Sequence, residues 1–419
     1  MKKTRLNFGI LALALYILMT YIATDILIPS VLCTVSIGVL VIATIGKVFI
    51  IRRGKIKKGE YGYLGYYALF AIFCVASSVY SANKNILSDA YYLMYVAIVL
   101  IACVCTTIEK IEDIYYVFDF YCASTILLFL ILLITGNLIS YGLFNELNRL
   151  GSTFTNNSNT FATFQLVAFC VSSWRFIYSK KENIKKRKRL LYLIATITSI
   201  LSIALSGARK CLVSAIVCIF IYFFFKQDAG GQRKYVRNLL AFVIIFSLTM
   251  YVVLHNDYLY MIIGERFEEL MLQFFGRSTA IEGSSSYLRA EYRKMAFQGW
   301  LNSPIWGHGF DSFRFFNNEV HGRNAYSHNN FLELLYNGGI IAFGLFYIIY
   351  YKITKMAIKS SVNETKALII GSIVCILLFE YGQVDYNLSA ILIYICLLYK
   401  FISFDKYGYS QMMNQQGRI

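Results

Sequence analysis

Residues 88–135 read SDAYYLMYVAIVLIACVCTTIEKIEDIYYVFDFYCASTILLFLILLIT. Two apolar runs, 88–107 and 114–135, flank a short charged turn that carries Lys110. A helix needs about 20 apolar residues to cross a hydrocarbon core of about 30 Å, so each run is long enough to span a bilayer. Apolarity is continuous along both runs, which excludes β-barrel strands, whose side chains alternate. Working outward, similar runs recur at 8–28, 31–51, 61–81, 160–178, 190–208, 211–225, 237–255, 331–351, 367–383 and 386–403, giving twelve candidate spans. The chain is 58% hydrophobic, and its two prolines, Pro29 and Pro304, leave long helices uninterrupted. The expected fold is an all-α polytopic membrane protein of about 12 transmembrane helices with one large outward-facing loop containing short helices. The first run follows Met-Lys-Lys-Thr-Arg and lacks a small-residue cleavage site, so it reads as a retained anchor.

The net charge of +17 invites a nucleic-acid reading, but the distribution of the charge points elsewhere. With the N-terminus inside and the sides alternating, inside segments, counted with Arg237 and Lys400 at the adjoining span ends, hold 27 of the 40 Lys and Arg and outside segments 11; Lys47 and Arg175 fall within spans. That is the positive-inside pattern of a cytoplasmic membrane protein, and the run Lys180 to Arg189 is a topology anchor. The implied organisation is helices 1–5 in 1–135, an outer loop at 136–159 and helices 6–9 in 160–255. A large outer loop at 256–330, helices 10–12 in 331–403 and a cytoplasmic tail at 404–419 complete it. Both termini are expected inside a bacterial cytoplasmic (inner) membrane. All ten cysteines lie in apolar spans and read as packing residues, with neither a disulfide framework nor a zinc site implied.

All four histidines, His255, His308, His321 and His328, lie in or at the edge of the 256–330 loop. Within it, 264–278 has the spacing of an amphipathic helix. A second helix from about Ser286 to Trp300 presents Leu288, Tyr292, Met295 and Ala296 as an apolar stripe, with Arg289 and Arg293 on a neighbouring face. Gly307 and Gly309 mark a turn after it.

Three clusters on the outer side carry polar chemistry. RLGSTFTNNSNTFA (149–162) offers hydroxyls and amides for sugars or phosphates, and Ser158 or Asn159 serves equally as a helix cap. LSGARK (205–210) places Arg209 at the outer interface, either as a snorkelling residue that ends a span or as a partner for a lipid pyrophosphate. HGRNAYSHNNFLELLYNGGIIAFG (321–344) has Ser327 as a natural N-cap, His328 in the first helical turn, and Gly338, Gly339 and Gly344 for close helix approach. Glu380 and Asp385, near the outer end of the eleventh span, are open to pairing with the site arginines.

In order and content these motifs resemble the O-antigen ligase and Wzy-type polysaccharide polymerase family. The resemblance runs through Gly151-Ser-Thr-Phe-Thr-Asn156-Asn-Ser-Asn159, Ser206-Gly-Ala-Arg209, Tyr287-Leu-Arg289, Pro304-Ile-Trp-Gly307-His-Gly309 and His328-Asn329-Asn-Phe-Leu332 through Gly338 and Gly339. It covers about 149–344 and departs from the family spacing by one or two residues in the first motif. It implies a polymerase that joins undecaprenyl-pyrophosphate-linked repeat units into capsule, O-antigen or exopolysaccharide, without metal or other cofactor and with inversion at the anomeric carbon. Arg209 and Arg289 would hold the pyrophosphate and His328 would be the general base. Arg293, His321, Arg323, Asn156, Asn159 and Asn329 would contact substrate in support. The implied partners are lipid-linked glycan donor and acceptor, membrane lipids, a flippase and a chain-length regulator, with no nucleic acid. Two rival activities remain: ligation of the glycan to a lipid or protein acceptor, and a flippase or secondary transporter of lipid-linked glycan.

The distribution of basic residues makes a direct prediction. With cysteines placed singly at Ser285 and Lys185 in a cysteine-free background, an impermeant thiol reagent on intact cells should label 285 and leave 185 unlabelled. The opposite pattern would reverse the topology.

Overall fold

The computed structural model describes residues 8–22, 31–55, 61–138, 150–151, 158–179, 184–226, 248, 251, 254–256 and 285–416. Among these residues the regular structure is entirely helical, in thirteen helices. They are α1 (Phe8–Ile22), α2 (Val31–Gly46, continued by a π turn Lys47–Ile51), α3 (Gly62–Ser77), α4 (Asp89–Thr107) and α5 (Ile111–Ile134). There follow α6 (Ser158–Tyr178), α7 (Lys186–Ser206) and α8 (Arg209–Phe225). The remainder are α9 (Ser285–Asn302), α10 (Ser312–His321), α11 (Asn330–Ile358), α12 (Asn363–Glu380) and α13 (Ser389–Gln416). Six stretches are long and apolar enough to cross a membrane: Val31–Ile51, α4, α5, α6, α7 and α11. Eleven of the twelve expected runs coincide with helices, while 237–255 and the amphipathic stretch 264–278 lie largely or wholly outside the described residues.

Lipid tails are as apolar as leucine, so helix association in a bilayer depends on close packing and on polar contacts between helices. α6 is the most enclosed helix, lying among α5, α7, α8 and α12. Its Trp174 is fully buried and donates through Nε1 to the Glu364 carbonyl at 2.9 Å, and Gln165 accepts from the Thr125 hydroxyl of α5 at 2.5 Å. α3 packs on α11, α4 on α13 and α8 on α12.

At one end of the bundle, cations gather on the last turn of α4. A helix leaves its final carbonyls without intrahelical partners. Lys400 of α13 donates to the carbonyls of Cys105 (2.7 Å) and Ile108 (3.1 Å), Arg52 to Thr106 (2.9 Å), and Lys47 to Thr107 (2.9 Å). Positive charge is favourable at this helix end. Glu109 closes the group, 3.2 Å from Lys47 and 2.5 Å from Arg52. Asp119 pairs with Lys188 at 2.7 Å nearby in sequence to this turn. The turns 78–88, 207–210 and 381–388 and the segment 285–329 gather at the opposite end, the alternation expected of successive spans.

That opposite end is built on a break in α11. Gly339 has φ 60° and ψ −160°, a conformation that side chains disfavour, and it interrupts the helical ladder. Freed backbone groups inside a membrane must find partners. Here the stretch Pro304–His308 supplies them: Ile340 N–H donates to the Pro304 carbonyl at 2.9 Å, and His308 N–H donates to the Tyr336 carbonyl at 2.9 Å. The approach is backbone on backbone. A Cβ on Gly339 would lie 2.2 Å from the Ile305 oxygen, and one on Gly307 (φ 68°) would lie 2.5 Å from Gly338 N. The sequence reading assigned Gly338, Gly339 and Gly344 to helix–helix contact. Gly338 does face Phe73 of α3, but the partner of Gly339 is a loop, and Gly344 has open space around it.

Gly339→Ala therefore combines a disfavoured φ with a collision against a carbonyl, and it should cost about 2 kcal/mol or more. Gly344→Ala should stay within about 0.5 kcal/mol. Thermal unfolding of both variants in detergent checks this, and equal stabilities would refute the role given to the break.

Candidate functional site

α11 begins at Asn330, and its cap is Asn329, whose Oδ1 accepts from Leu332 N–H at 2.9 Å. The sequence reading placed the cap at Ser327 and His328 in the first turn; the structure moves the helix start two residues along. Ser327 is occupied elsewhere, its N–H donating to Glu333 Oε2 at 2.7 Å and its hydroxyl to the Asn329 carbonyl at 3.0 Å. His328 therefore stands ahead of the helix with φ 56°. Histidine is among the residues that tolerate this left-handed region, at a cost of about 1 kcal/mol.

A frame of buried polar side chains holds that position. Asn329 Nδ2 donates to the Tyr381 carbonyl at 3.1 Å, and Asn330 Oδ1 accepts from the N–H groups of Asp385 (3.1 Å) and Tyr386 (3.2 Å). Both asparagines thus tie the start of α11 to the α12–α13 turn. Glu333 accepts from Asn337 Nδ2 at 3.2 Å, and Asn337 Oδ1 accepts from Phe313 N–H at 3.0 Å, which fixes α10. α10 is held from its other side by Asp311, which is fully buried with φ 63°. Its carboxylate accepts from Arg314 Nε (2.6 Å), Arg314 Nη2 (2.5 Å) and Asn83 Nδ2 (2.8 Å). Glu380 accepts from the hydroxyls of Tyr347 (2.6 Å) and Tyr350 (2.7 Å), so its hydrogen-bond partners are tyrosines rather than the site arginines.

α9 lies across this frame. Tyr292 and Ala296 are buried against Phe313 and Tyr336, with Leu288 and Met295 partly covered, so the expected apolar stripe faces the protein. The Tyr292 ring stacks near His328, with centroids 6.4 Å apart and planes inclined by 13°, and is 5.6 Å from the His321 ring. His321 ends α10, its Nε2 3.1 Å from the Met295 sulfur. Arg289 and Arg293 occupy the flank beside the stripe, and Arg293 lies 5.7 Å from the Tyr381 ring centroid. Lys210 of α8 is 5.8 Å from the centroid of the same ring. Its side chain crosses Gly382, where a Cβ would sit 1.5 Å from Nζ.

The electrostatics follow from this gathering. Burial pushes His328 down to about 4, and the charges of Arg289, Lys210 and Arg293 add to the effect. Lys210, which precedes the apolar run 211–225, is pushed down to about 8 by burial, then by Arg293 and Arg289. Among the described residues Lys210 and Arg293 have an aromatic partner and no carboxylate. A neutral imidazole accepts a proton, while cations in a half-buried pocket demand an anion. Burial comes first among the causes of the neutral ring, ahead of the three side-chain cations.

The other expected residues fall as follows. Arg209 opens α8, half-buried, beside Lys210. Arg323 is exposed on the segment between α10 and α11. Asn159 is in the first turn of α6, which begins at Ser158, and Asn156 lies outside the described residues. Gly151, with φ 91°, abuts Phe161, where a Cβ would come within 2.5 Å of that side chain. His308 is a structural residue: its Nε2–H donates to the Gly299 carbonyl at 2.8 Å. His255 is exposed, with its Nδ1–H donating to the Tyr251 carbonyl at 2.9 Å. Sequence reasoning missed Lys210 and the Tyr381–Gly382 pair. The signal for Lys210 was its place directly after Arg209, but nothing in one sequence brings residue 381 to residue 210. Away from this end, Cys170, Cys218 and Cys375 bring their sulfurs within 4.8 Å of one another between α6, α8 and α12. This is the group among the described residues whose atoms could surround a metal ion, and it lies eight residues, about 12 Å, along α8 from Lys210.

No curated protein matches the chain. The family model described as O-antigen ligase, Wzy_C, matches residues 194–347. That stretch holds Arg209, Lys210, Arg289, Arg293 and His328 together with the broken span beneath them. Residues 194–347 are thus an O-antigen ligase family domain, as the order of the sequence motifs implies.

Proposed function

We propose that the protein is a polysaccharide polymerase, joining repeat units carried on undecaprenyl pyrophosphate at the outer face of a bacterial cytoplasmic membrane. The observation that carries this reading is a neutral histidine placed beside three cations at the mouth of a span, within an O-antigen ligase family domain. The excess of Lys and Arg on the opposite loops supports an outward-facing site and cytoplasmic termini.

In this reading His328 accepts the proton of an acceptor sugar hydroxyl as that oxygen attacks the anomeric carbon of the donor. The bond from the anomeric carbon to the pyrophosphate oxygen breaks, and configuration inverts. The leaving pyrophosphate gains negative charge, which the guanidinium groups of Arg209 and Arg289 stabilise, with Arg293 beside them. The proton passes from His328 to water. Tyr292 keeps the imidazole plane in place, and the Asn329–Tyr381 contact fixes the backbone on which the ring is mounted.

His328→Ala should lower chain elongation by 10²- to 10⁴-fold, the usual worth of a general base, while the protein still inserts and binds donor. Arg289→Lys keeps the charge and loses the fork, so turnover should fall strongly at normal expression, and Arg209→Lys likewise. His255→Ala should be mild, whereas His308→Ala should lower stability because it removes the bond to Gly299. In the free enzyme kcat/KM should stay level from neutrality down to about pH 4 and drop below it, because His328 is protonated only there. The same depression leaves stability untouched above about 6.5, the ordinary histidine value, and lowers it as pH falls from there toward about 4. The measurement is laddering from purified lipid-linked repeat units. Near-parental laddering by His328→Ala would remove His328 and make His321 the base to test. Transfer to a lipid or protein without elongation would show a ligase, and movement of donor without a new glycosidic bond a transporter.

A further inference from the structure

Lys210 and Arg293 both lie near the Tyr381 ring, at 5.8 and 5.7 Å from its centroid. They come from different helices, α8 and α9, and among the described residues neither meets a carboxylate. Arg289 is one helical turn before Arg293 on α9, and its charge reaches both Lys210 and His328. The connection to His328 is structural as well as electrostatic. Asn329, the next residue, is bonded to the Tyr381 carbonyl at 3.1 Å, and Tyr292, the residue before Arg293, stacks near the His328 ring. The backbone of residue 382 lies so close to Lys210 that any side chain there would displace its ammonium. Among the described residues, the titratable and charged groups on the elements around His328 are Arg289, Arg293 and Tyr292 from α9, Lys210 from α8, His321 from α10, Glu333 from α11 and Tyr381 from the α12–α13 turn. Glu333 is turned to Ser327 N–H and Asn337. Among the described residues, the charges that act on the ring are the three cations Arg289, Lys210 and Arg293.

We infer that a phosphate-type anion held by Lys210, Arg289 and Arg293 around Tyr381 raises the proton affinity of His328, so that arrival of the donor strengthens the base that will act on it. This rests on the pyrophosphate reading given above and adds to it both a residue, Lys210, and a form of regulation. The physical reason is that cations disfavour the imidazolium and a bound anion cancels their field. A base is most effective when its proton affinity is near that set by the working pH, so the empty site holds a weak base and the loaded site a stronger one. An acceptor hydroxyl, or water, meeting the empty site is then poorly activated, and activation waits for a leaving group. By reciprocity, a protonated His328 binds the anion more tightly than a neutral one.

Four histidines in the chain make the test tractable. The full-length protein in zwitterionic detergent, labelled with ¹³C-histidine, is titrated by NMR with and without saturating inorganic pyrophosphate, and the His328 signal is assigned by its loss in His328→Gln. Pyrophosphate should raise the His328 midpoint by about one unit or more, which corresponds to about tenfold in linked affinity. His255, His308 and His321 should move less. Lys210→Gln should raise the midpoint in the absence of anion and shrink the response to pyrophosphate. Gly382→Ala, which displaces Lys210 without removing a charge from the chain, should shrink the response too. Saturable pyrophosphate binding with an unmoved His328 midpoint would overturn the coupling and leave the pyrophosphate reading standing. No saturable binding would overturn both. In a second arm, phosphatidylglycerol replaces pyrophosphate; an equal shift with this lipid would assign the anion site to membrane headgroups and overturn the link to the donor.

Discussion

The backbone contact between Pro304–His308 and the break at Gly339 is the constraint on which the site end depends. A span interrupted at membrane depth exposes amide and carbonyl groups that hydrocarbon cannot satisfy. A loop with its own unpaired groups is equally costly to bury. Each solves the other's problem here, and the solution admits little play because both partners approach without side chains between them. The loop so pinned carries α9 before it and α10 after it. α9 brings Arg289, Arg293 and Tyr292, while α10 ends at His321. The geometry around His328 is thus inherited from a helix defect about ten residues away.

Much of this was legible in the sequence. Span positions follow from runs of about 20 apolar residues, and among the described residues helices lie at eleven of the twelve. The α9 stripe of Leu288, Tyr292, Met295 and Ala296 obeys helical spacing and is buried as that spacing requires. The turn at Gly307 and Gly309 was legible because glycines adopt positive φ at no steric cost. The start of α11 was not. Ser327 and Asn329 are both good caps, and the choice between them depends on Glu333, which captures the Ser327 amide from six residues away. Lys210 was passed over for a related reason. Its importance lies in proximity to α9 and to Tyr381, and hydropathy along a chain carries no information about which turns meet. The pairing of Glu380 with Tyr347 and Tyr350 likewise requires knowing that α11 and α12 lie side by side.

The two ends of the bundle handle positive charge in opposite ways. On one, Lys47, Arg52 and Lys400 donate to carbonyls, and Glu109 offsets two of them. On the other, Arg314 is neutralised by the buried Asp311, while among the described residues Lys210 and Arg293 meet the Tyr381 ring and no carboxylate. Positive charge at the first end completes the fold. At the second end it adds to burial in keeping His328 neutral.

The gathering of cations on the last turn of α4 also bears on the order in which the chain is made. Lys400 reaches the Cys105 carbonyl across a separation of 295 residues. A further 295 residues must be made after Cys105 before that donor exists. Until then the end of an early span keeps part of its carbonyl set facing water or headgroups, and α4 lacks the α13 surface on which it finally packs. The first half of the protein is therefore inserted before it can be finished. That contact is delivered by α13, so this end of the bundle closes only after α13 has been made.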